Sequence, residues 1–95
     1  MEKIVVEDRE FEASRISTSH ANILMIKAKK GFLGCGYFDV ATSNKLEEPV
    51  AIVTGVKSFE DMLVAKVIKL SNKAIELGLS EGVTGKEALM VLDDG

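Results

Sequence analysis

The chain has 95 residues, of which 46% are apolar and 28% are charged. A chain of this length forms one small domain with a thin core, and this composition excludes a disordered or low-complexity protein. The formal net charge of −3 argues against a general nucleic-acid-binding surface, because such a surface needs an excess of lysine and arginine. We therefore expect a single domain over residues 1–95 and no nucleic-acid partner.

The single cysteine and the single histidine limit disulfide and metal chemistry. One cysteine cannot form an internal disulfide or a cysteine-based zinc site, and no ligand spacing such as HExxH occurs. The longest apolar run is about five residues, too short to cross a membrane or to form a signal peptide. We expect a cytoplasmic protein with no metal, no cofactor and no membrane partner.

The first half of the chain predicts β-structure. Residues 3–20 alternate only in part between polar and apolar, which indicates short edge strands. Residues 22–28 and 50–54 are rich in apolar and β-branched side chains and predict strands. Residues 32–40 predict a strand weakened by glycines, and residues 41–49, ending in a proline, predict a loop.

After residue 54 the apolar period becomes helical. Apolar residues separated by three or four positions predict a helix of about 19 residues ending before Gly78, with Ser58 as its N-cap. Thr84 with Glu87 three residues later is typical of a second N-cap and predicts a shorter closing helix. The apolar stripe of the long helix consists of Phe59, Leu63, Val67, Leu70, Ala74 and Leu77.

Connection lengths and strand composition predict how these elements assemble. Residues 41–49 are too few for a parallel crossover, so strands 32–40 and 50–54 are expected to be antiparallel. The fold class is therefore α+β, an antiparallel β-meander with an N-terminal β-region, one long and one short C-terminal helix. Strands 22–28 and 50–54 are apolar on both faces of the sheet. The helices can cover only one of these two faces. The other face needs the N-terminal segment or a second subunit.

Three segments stand out along the chain: GFLGCGYFD at 31–39, VTGVKSFED at 53–61 and GVTGKEAL at 82–89. In this order and spacing they resemble the YunC-like family, a domain-of-unknown-function family of small bacterial and archaeal proteins. The resemblance extends from about Asn22 to Leu92. It implies an α+β fold in which an N-terminal β-region, here residues 1–20, mediates oligomers that we expect to be tetramers. It implies no established reaction.

Cys35 is the sharpest candidate for chemistry. In an antiparallel register that pairs Val40 with Val50, Cys35 lies near Gly55, beside the positive end of the long helix, where a thiolate is stabilised. The alternative is an inert, buried cysteine that packs as a small apolar side chain. Asp39 lies on the same strand face and is either an acid or base or a polar strand end.

Two glycine-containing segments are candidate binding sites. Gly34 and Gly36 leave a strip of one sheet face without side chains, which either a packed helix or a ligand would fill. Gly55, Lys57 and Ser58 belong to the GVKS segment between a strand and a helix, where backbone N–H groups and a lysine can hold a small anion. The alternative there is an N-cap followed by an exposed lysine.

The leading hypothesis is a self-associating, non-enzymatic module, a homo-oligomer that binds a small anionic ligand at residues 55–58. The alternative is a thiol-dependent enzyme or redox protein that uses Cys35, so enzymatic activity is left open. A third hypothesis is protein binding through Lys66, Lys69 and Lys73, whose spacing is also typical of the solvated face of a helix.

Overall fold

A computed structural model describes residues 2–94 and shows an α+β fold built on one six-stranded sheet. The strands lie in the sheet in chain order, and every neighbouring pair is antiparallel except β4 with β5, which is parallel. The elements along the chain are β1 (Glu2–Val6), β2 (Arg9–Ser17), β3 (Asn22–Lys27), β4 (Phe32–Gly34), α1 (Val40–Lys45), β5 (Val50–Ile52), α2 (Phe59–Val64), β6 (Lys69–Leu70), α3 (Asn72–Glu76) and α4 (Gly85–Asp93).

The N-terminal strands form a hairpin that is tied to α4. Its two-residue turn consists of Glu7 and Asp8, both with positive φ (52° and 64°), as a type I′ turn requires. Lys86 pairs with Glu7, and this hydrogen-bonded ion pair lowers the pKa of the Glu7 carboxyl. Arg9 donates to Asp94 Oδ1 at 2.7 Å, which raises the pKa of the Arg9 guanidinium.

One side of the sheet carries the hydrophobic core. The register pairs Ala13 with Ile26 and Ile26 with Leu33, so these three side chains point to the same side, and all are fully buried. Helix α4 covers them closely, because a Cβ added at Gly85 would lie 3.0 Å from Leu33 Cδ2. The other buried members of this core are Val6, Phe11, Leu24, Ala28, Cys35, Ala51, Val53, Phe59, Met62, Val67, Ala74, Leu79, Ala88, Leu89 and Leu92.

The predicted strand over 32–40 is wrong beyond Gly34, and the predicted loop over 41–49 contains a helix. Strand β4 ends at Gly34, the next residues turn, and Asp39 becomes the N-cap of α1. Its carboxylate accepts hydrogen bonds from Ala41 N–H at 2.9 Å and from the Thr42 hydroxyl at 3.3 Å. An aspartate in this role satisfies helix donors that would otherwise be unpaired.

The predicted antiparallel pairing of strands 32–40 and 50–54 is also wrong. Gly34 pairs with Ile52 and Phe32 with Val50 in a parallel register. Because β4 ends at residue 34 rather than 40, residues 35–49 are available for the crossover, and 15 residues containing a helix are enough. The spatial order still agrees with the prediction, since β4 lies between β3 and β5.

The predicted long helix is three separate elements. Helix α2 ends at Val64, its C-cap Ala65 has extended backbone angles (φ −72°, ψ 150°), and β6 and α3 follow. Ser71 is fully buried and holds this break in place. Its hydroxyl donates to Glu48 O at 2.7 Å and accepts from Val50 N–H at 2.8 Å and from Ala74 N–H at 3.3 Å. The helical spacing of apolar residues therefore reflects packing on one core from three short elements.

The predicted N-caps are confirmed. Ser58 accepts a hydrogen bond from Asp61 N–H at 3.1 Å at the start of α2. Thr84 and Glu87 form a reciprocal capping box at the start of α4, in which Glu87 accepts from the Thr84 backbone N–H at 3.0 Å. That bond, together with one from the Thr84 hydroxyl, lowers the pKa of the Glu87 carboxyl.

Among residues 2–94, no helix combines the length and the apolar character that crossing a bilayer requires.

Candidate functional site

Cys35 lies in the core beside β3. It is 5% exposed, its backbone N–H donates to Leu24 O at 3.1 Å, and its Sγ accepts from Leu24 N–H at 3.4 Å. The register that places Cys35 near Gly55 is wrong, because the pairing of Gly34 with Ile52 puts Cys35 beside Val53 instead. The thiol therefore accepts a hydrogen bond from the β3 backbone and participates in strand packing.

We expect Cys35 to resist modification in the folded protein. A thiol reagent at neutral pH should react at least about a hundredfold more slowly with the native chain than with the urea-unfolded chain, because a buried thiol reacts only when the structure opens. The measurement is stopped-flow titration in both states. Rapid native-state modification at pH 7 or below would contradict this expectation and would favour the thiol-dependent function.

The strip at Gly34 and Gly36 is filled by an aromatic side chain. A Cβ at Gly34 would lie 2.6 Å from the Phe38 ring and 3.0 Å from the Phe32 ring. The two rings meet edge to face, with centroids 5.0 Å apart. Gly36 is exposed in the turn after β4, where the nearest atom to an added Cβ is the Thr54 methyl at 3.1 Å. The close approach predicted for this strip therefore exists at Gly34, and its occupant is Phe38.

The segment from Gly55 to Ser58 forms the turn into α2, and an acidic side chain reaches into it. Gly55 is exposed with φ +71°, which explains the glycine. The Lys57 side chain is exposed, but its backbone N–H donates to Asp61 Oδ2 at 3.0 Å. A carboxylate of the chain thus occupies part of the position predicted for an anion.

The three lysines predicted to share one helix face lie on different elements. Lys66 forms an isolated bridge with Thr84, Lys69 belongs to β6, and Lys73 lies on α3 with Glu76 Oε1 3.7 Å away. They do not form a basic line along one helix. No cluster of three or more potential metal ligands occurs among the residues that the structure describes.

The side of the sheet opposite the core is open over β1, β2 and β3. The register places Val5, Ile16, Ile23, Met25 and Phe32 on this side, and we call these five residues the open face. Val5 is 67% exposed, Ile16 is 61% exposed, and the other three are partly exposed. By contrast, Val50 and Ile52 of β5 are buried on the same side.

The sequence did not lead us to predict that Ile16 lies on the open face. Phe11 and Ala13 alternate toward the core, so Ile16, three residues after Ala13, falls on the opposite side. This break in alternation is the signal that marks an apolar residue facing away from the core.

An aromatic cleft continues from the open face. It has a volume of about 420 Å³, shares Phe32 with the open face, and is bordered by Tyr37 and Leu46, which are 57% and 72% exposed. Asp39 and Glu48 line its rim. The apolar surface of this side therefore extends from the hairpin to α1.

Two other clefts flank the hairpin. The β1 cleft, of about 350 Å³, is lined by Ile4, Phe59 and Leu63, and the Arg15 guanidinium lies 5.1 Å from the centroid of the Phe59 ring. The second cleft, of about 630 Å³, is lined mainly by charged residues. Two of its acidic side chains are already engaged, since Asp93 accepts from Lys29 N–H at 3.2 Å and Asp94 pairs with Arg9.

Comparison with known proteins places this fold among relatives without an assigned activity. The chain is 29% identical over 91 residues to the uncharacterized protein YunC of Bacillus subtilis (strain 168), an alignment that covers 92% of this chain and 90% of YunC. It also resembles the crystal structure of a protein of unknown function, TA1206 from Thermoplasma acidophilum, with a TM-score of 0.90 and 32% identity. That match covers 96% of this chain and 89% of TA1206.

The family follows from a match that begins at the last residue of β4 and continues through α1, α2 and α3 into α4. The model of the domain of unknown function DUF1805 matches residues 34–92, more than half of the chain. The match begins at Gly34 and ends at Leu92, so the N-terminal hairpin lies outside it. This chain belongs to the DUF1805 family.

Proposed function

We propose that this protein is a self-associating module, and that its open face and N-terminal hairpin contact other copies of the chain in a four-copy assembly. The observation that carries the proposal is the exposure of Val5 and Ile16 on a sheet side where Ile23, Met25 and Phe32 are also partly exposed. Burial of apolar surface stabilises an interface by about 25 cal/mol per Å². Ile16, Ile23 and Met25 occupy neighbouring positions in the register, and exposed apolar patches of this kind are typical of interaction sites.

The charges on this side favour a second copy over a polyanionic partner. Lys3, Glu12 and Lys27 follow one another across β1, β2 and β3, so their signs alternate along the row. Glu10, paired with Val5, adds a fourth charge, so the four charged side chains of β1, β2 and β3 on this side sum to zero. Binding to an anionic membrane or to a nucleic acid would require a clear excess of positive charge on this side of the sheet. A copy of the same surface presents both signs and can pair with them.

We expect Ile16→Lys to dissociate the assembly. The wild-type mass by light scattering at micromolar concentration should be about 41 kDa, four times the chain mass of 10.3 kDa. The variant should fall to half of this mass or less, because a lysine in the apolar contact leaves a charge buried without a partner. Val64→Lys is the matched control, since Val64 is 76% exposed on α2 and should leave the mass unchanged.

A wild-type mass near 10 kDa would overturn the proposal. An unchanged mass for Ile16→Lys would remove the open face from the interface. Point variants are preferable to a chain that starts at residue 19, because deletion of the hairpin also removes Val6, Phe11 and Ala13 from the core.

Anion binding at residues 55–58 stays a prediction. The exposed Lys57 side chain supports it, and the Asp61 carboxylate at the same turn competes with any bound anion. The thiol-dependent alternative also stays a prediction, and the burial of Cys35 weighs against it.

A further inference from the structure

β1 is the edge of the sheet, and its hydrogen-bonding pattern determines which backbone groups are free. The bond from Cys35 N–H to Leu24 O directs the backbone of Leu24 toward β4, and alternation through β3 and β2 then directs that of Phe11 toward β1. The two-residue turn requires the same alternation of backbone groups along β1, because it is closed by a hydrogen-bonded pair between Val6 and Arg9. The N–H and C=O groups of Lys3 and Val5 therefore point away from the sheet.

We propose that β1 pairs antiparallel with β1 of a second copy, around a two-fold axis at Ile4. In this register Lys3 lies opposite the partner's Val5, and Val5 lies opposite the partner's Lys3. Each pair exchanges two hydrogen bonds, so all four outward groups of each strand are satisfied. The two sheets join into one of twelve strands, and the exposed edge disappears.

Other registers satisfy fewer groups. Pairing centred on Lys3 places two lysines directly opposite each other, which is unfavourable. Pairing centred on Val5 places Lys3 opposite the partner's Glu7, which belongs to the turn and not to the strand. The register centred on Ile4 is the one in which both outward residues meet outward residues.

The side chains fit the same register. Ile4 is partly buried on the core side of the sheet and lines the β1 cleft with Phe59 and Leu63. The two-fold axis brings the partner's Ile4 beside it, which extends the apolar wall of that cleft. Lys3 is a residue type that commonly protects free edges. Here it lies on the opposite side of the sheet, where Glu12 pairs with it in the register.

This inference rests on the proposed self-association and specifies its geometry. The β1 edge and the open face are different surfaces, and each can meet its own copy around a two-fold axis. When their two-fold axes intersect at right angles, two different isologous contacts on one chain generate a closed assembly of four copies with dihedral symmetry.

The experiment uses the full-length chain with Ile4→Cys. In a pair without hydrogen bonds the two Cα atoms are about 4.5 Å apart, within the range that a disulfide bridges. Under mild oxidation more than half of the chains should become disulfide-linked dimers. Glu2→Cys is the matched control and should link at least tenfold less, because Glu2 lies outside the open face and faces the partner's Val6 in this register. The wild-type chain, whose Cys35 is buried, should not link.

A second variant tests the edge without a cysteine. Lys3→Pro removes an outward N–H and leaves the pairing with β2 intact, so the mass should fall about twofold while the circular dichroism spectrum is retained. The inference is overturned if Ile4→Cys does not link, if Glu2→Cys links instead, or if Lys3→Pro keeps the wild-type mass. A wild-type assembly with any of these results leaves self-association standing, whereas a monomeric wild-type chain overturns both.

Discussion

Gly85→Ala is expected to lower the free energy of unfolding by about 3 kcal/mol or more. A Cβ at Gly85 would lie 1.9 Å from the backbone oxygen of Met62 and 2.9 Å from its carbonyl carbon, so α4 must move away from α2. The Gly85 N–H also donates to Ala65 O at 2.8 Å, and this displacement would break that bond. Because both helices pack on the main core, the loss of stability comes from disturbed core packing.

The sign of this effect separates packing from backbone propensity. Alanine is favoured over glycine in a helix by up to about 1 kcal/mol, so without the Met62 contact the substitution would be neutral or stabilising. Urea unfolding followed by circular dichroism, at one fixed protein concentration, measures the difference. Gly36→Ala is the matched control and should cost less than about 1 kcal/mol, because Gly36 is exposed and only the Thr54 methyl is near. A Gly85→Ala variant as stable as the wild type would contradict the close contact.

The parts of the fold that sequence predicts well are those set by local interactions. Strands β3 and β5 follow from short β-branched runs, and the caps at Ser58 and Thr84 follow from side chains that bond to the backbone three residues later. These signals depend only on neighbours in the chain. Predictions made from them therefore hold regardless of how distant parts of the chain pack.

The parts that sequence misses depend on distant contacts. Ser71 begins a new helix, α3, inside the predicted long helix, and its hydroxyl also bonds to Glu48 and Val50, more than 20 residues away. Asp39 caps a helix in a segment whose apolar and aromatic residues suggest a continuing strand despite its glycines. The strand end at Gly34 then decides the parallel pairing of β4 with β5, so one local error changes the topology.

The candidate site shows the same division. The close approach at Gly34 is predicted from the bare glycine strip, but its occupant, the Phe38 ring, requires the turn that the sequence does not reveal. The predicted position of Cys35 fails with the register. The open face becomes visible only when β1 and β2 are placed beside β3, because Ile16 and Ile23 meet across two strands.

Gly31→Ala is expected to have an effect of similar size, about 3 kcal/mol or more, at the start of the parallel strand pair. A Cβ at Gly31 would lie 1.8 Å from Pro49 O and 2.7 Å from the Pro49 carbonyl carbon. That same oxygen accepts a hydrogen bond from Phe32 N–H at 3.1 Å, immediately before Phe32 pairs with Val50. The added methyl group therefore separates β4 from β5 at the first bond that joins them.

Gly78→Ala is the comparison that shows why Gly31 is a glycine. Gly78 has φ +102° with open space around it, so alanine there suffers backbone strain of about 1–3 kcal/mol and no collision. Gly31 lies outside the positive-φ glycines, so its cost comes from the contact with Pro49. We expect Gly31→Ala to unfold at a lower urea concentration than Gly78→Ala, with Lys30→Ala close to the wild type because Lys30 is exposed. The reverse order, with Gly78→Ala the less stable variant, would show that Pro49 yields to the new side chain and that β4 and β5 are not held at this point.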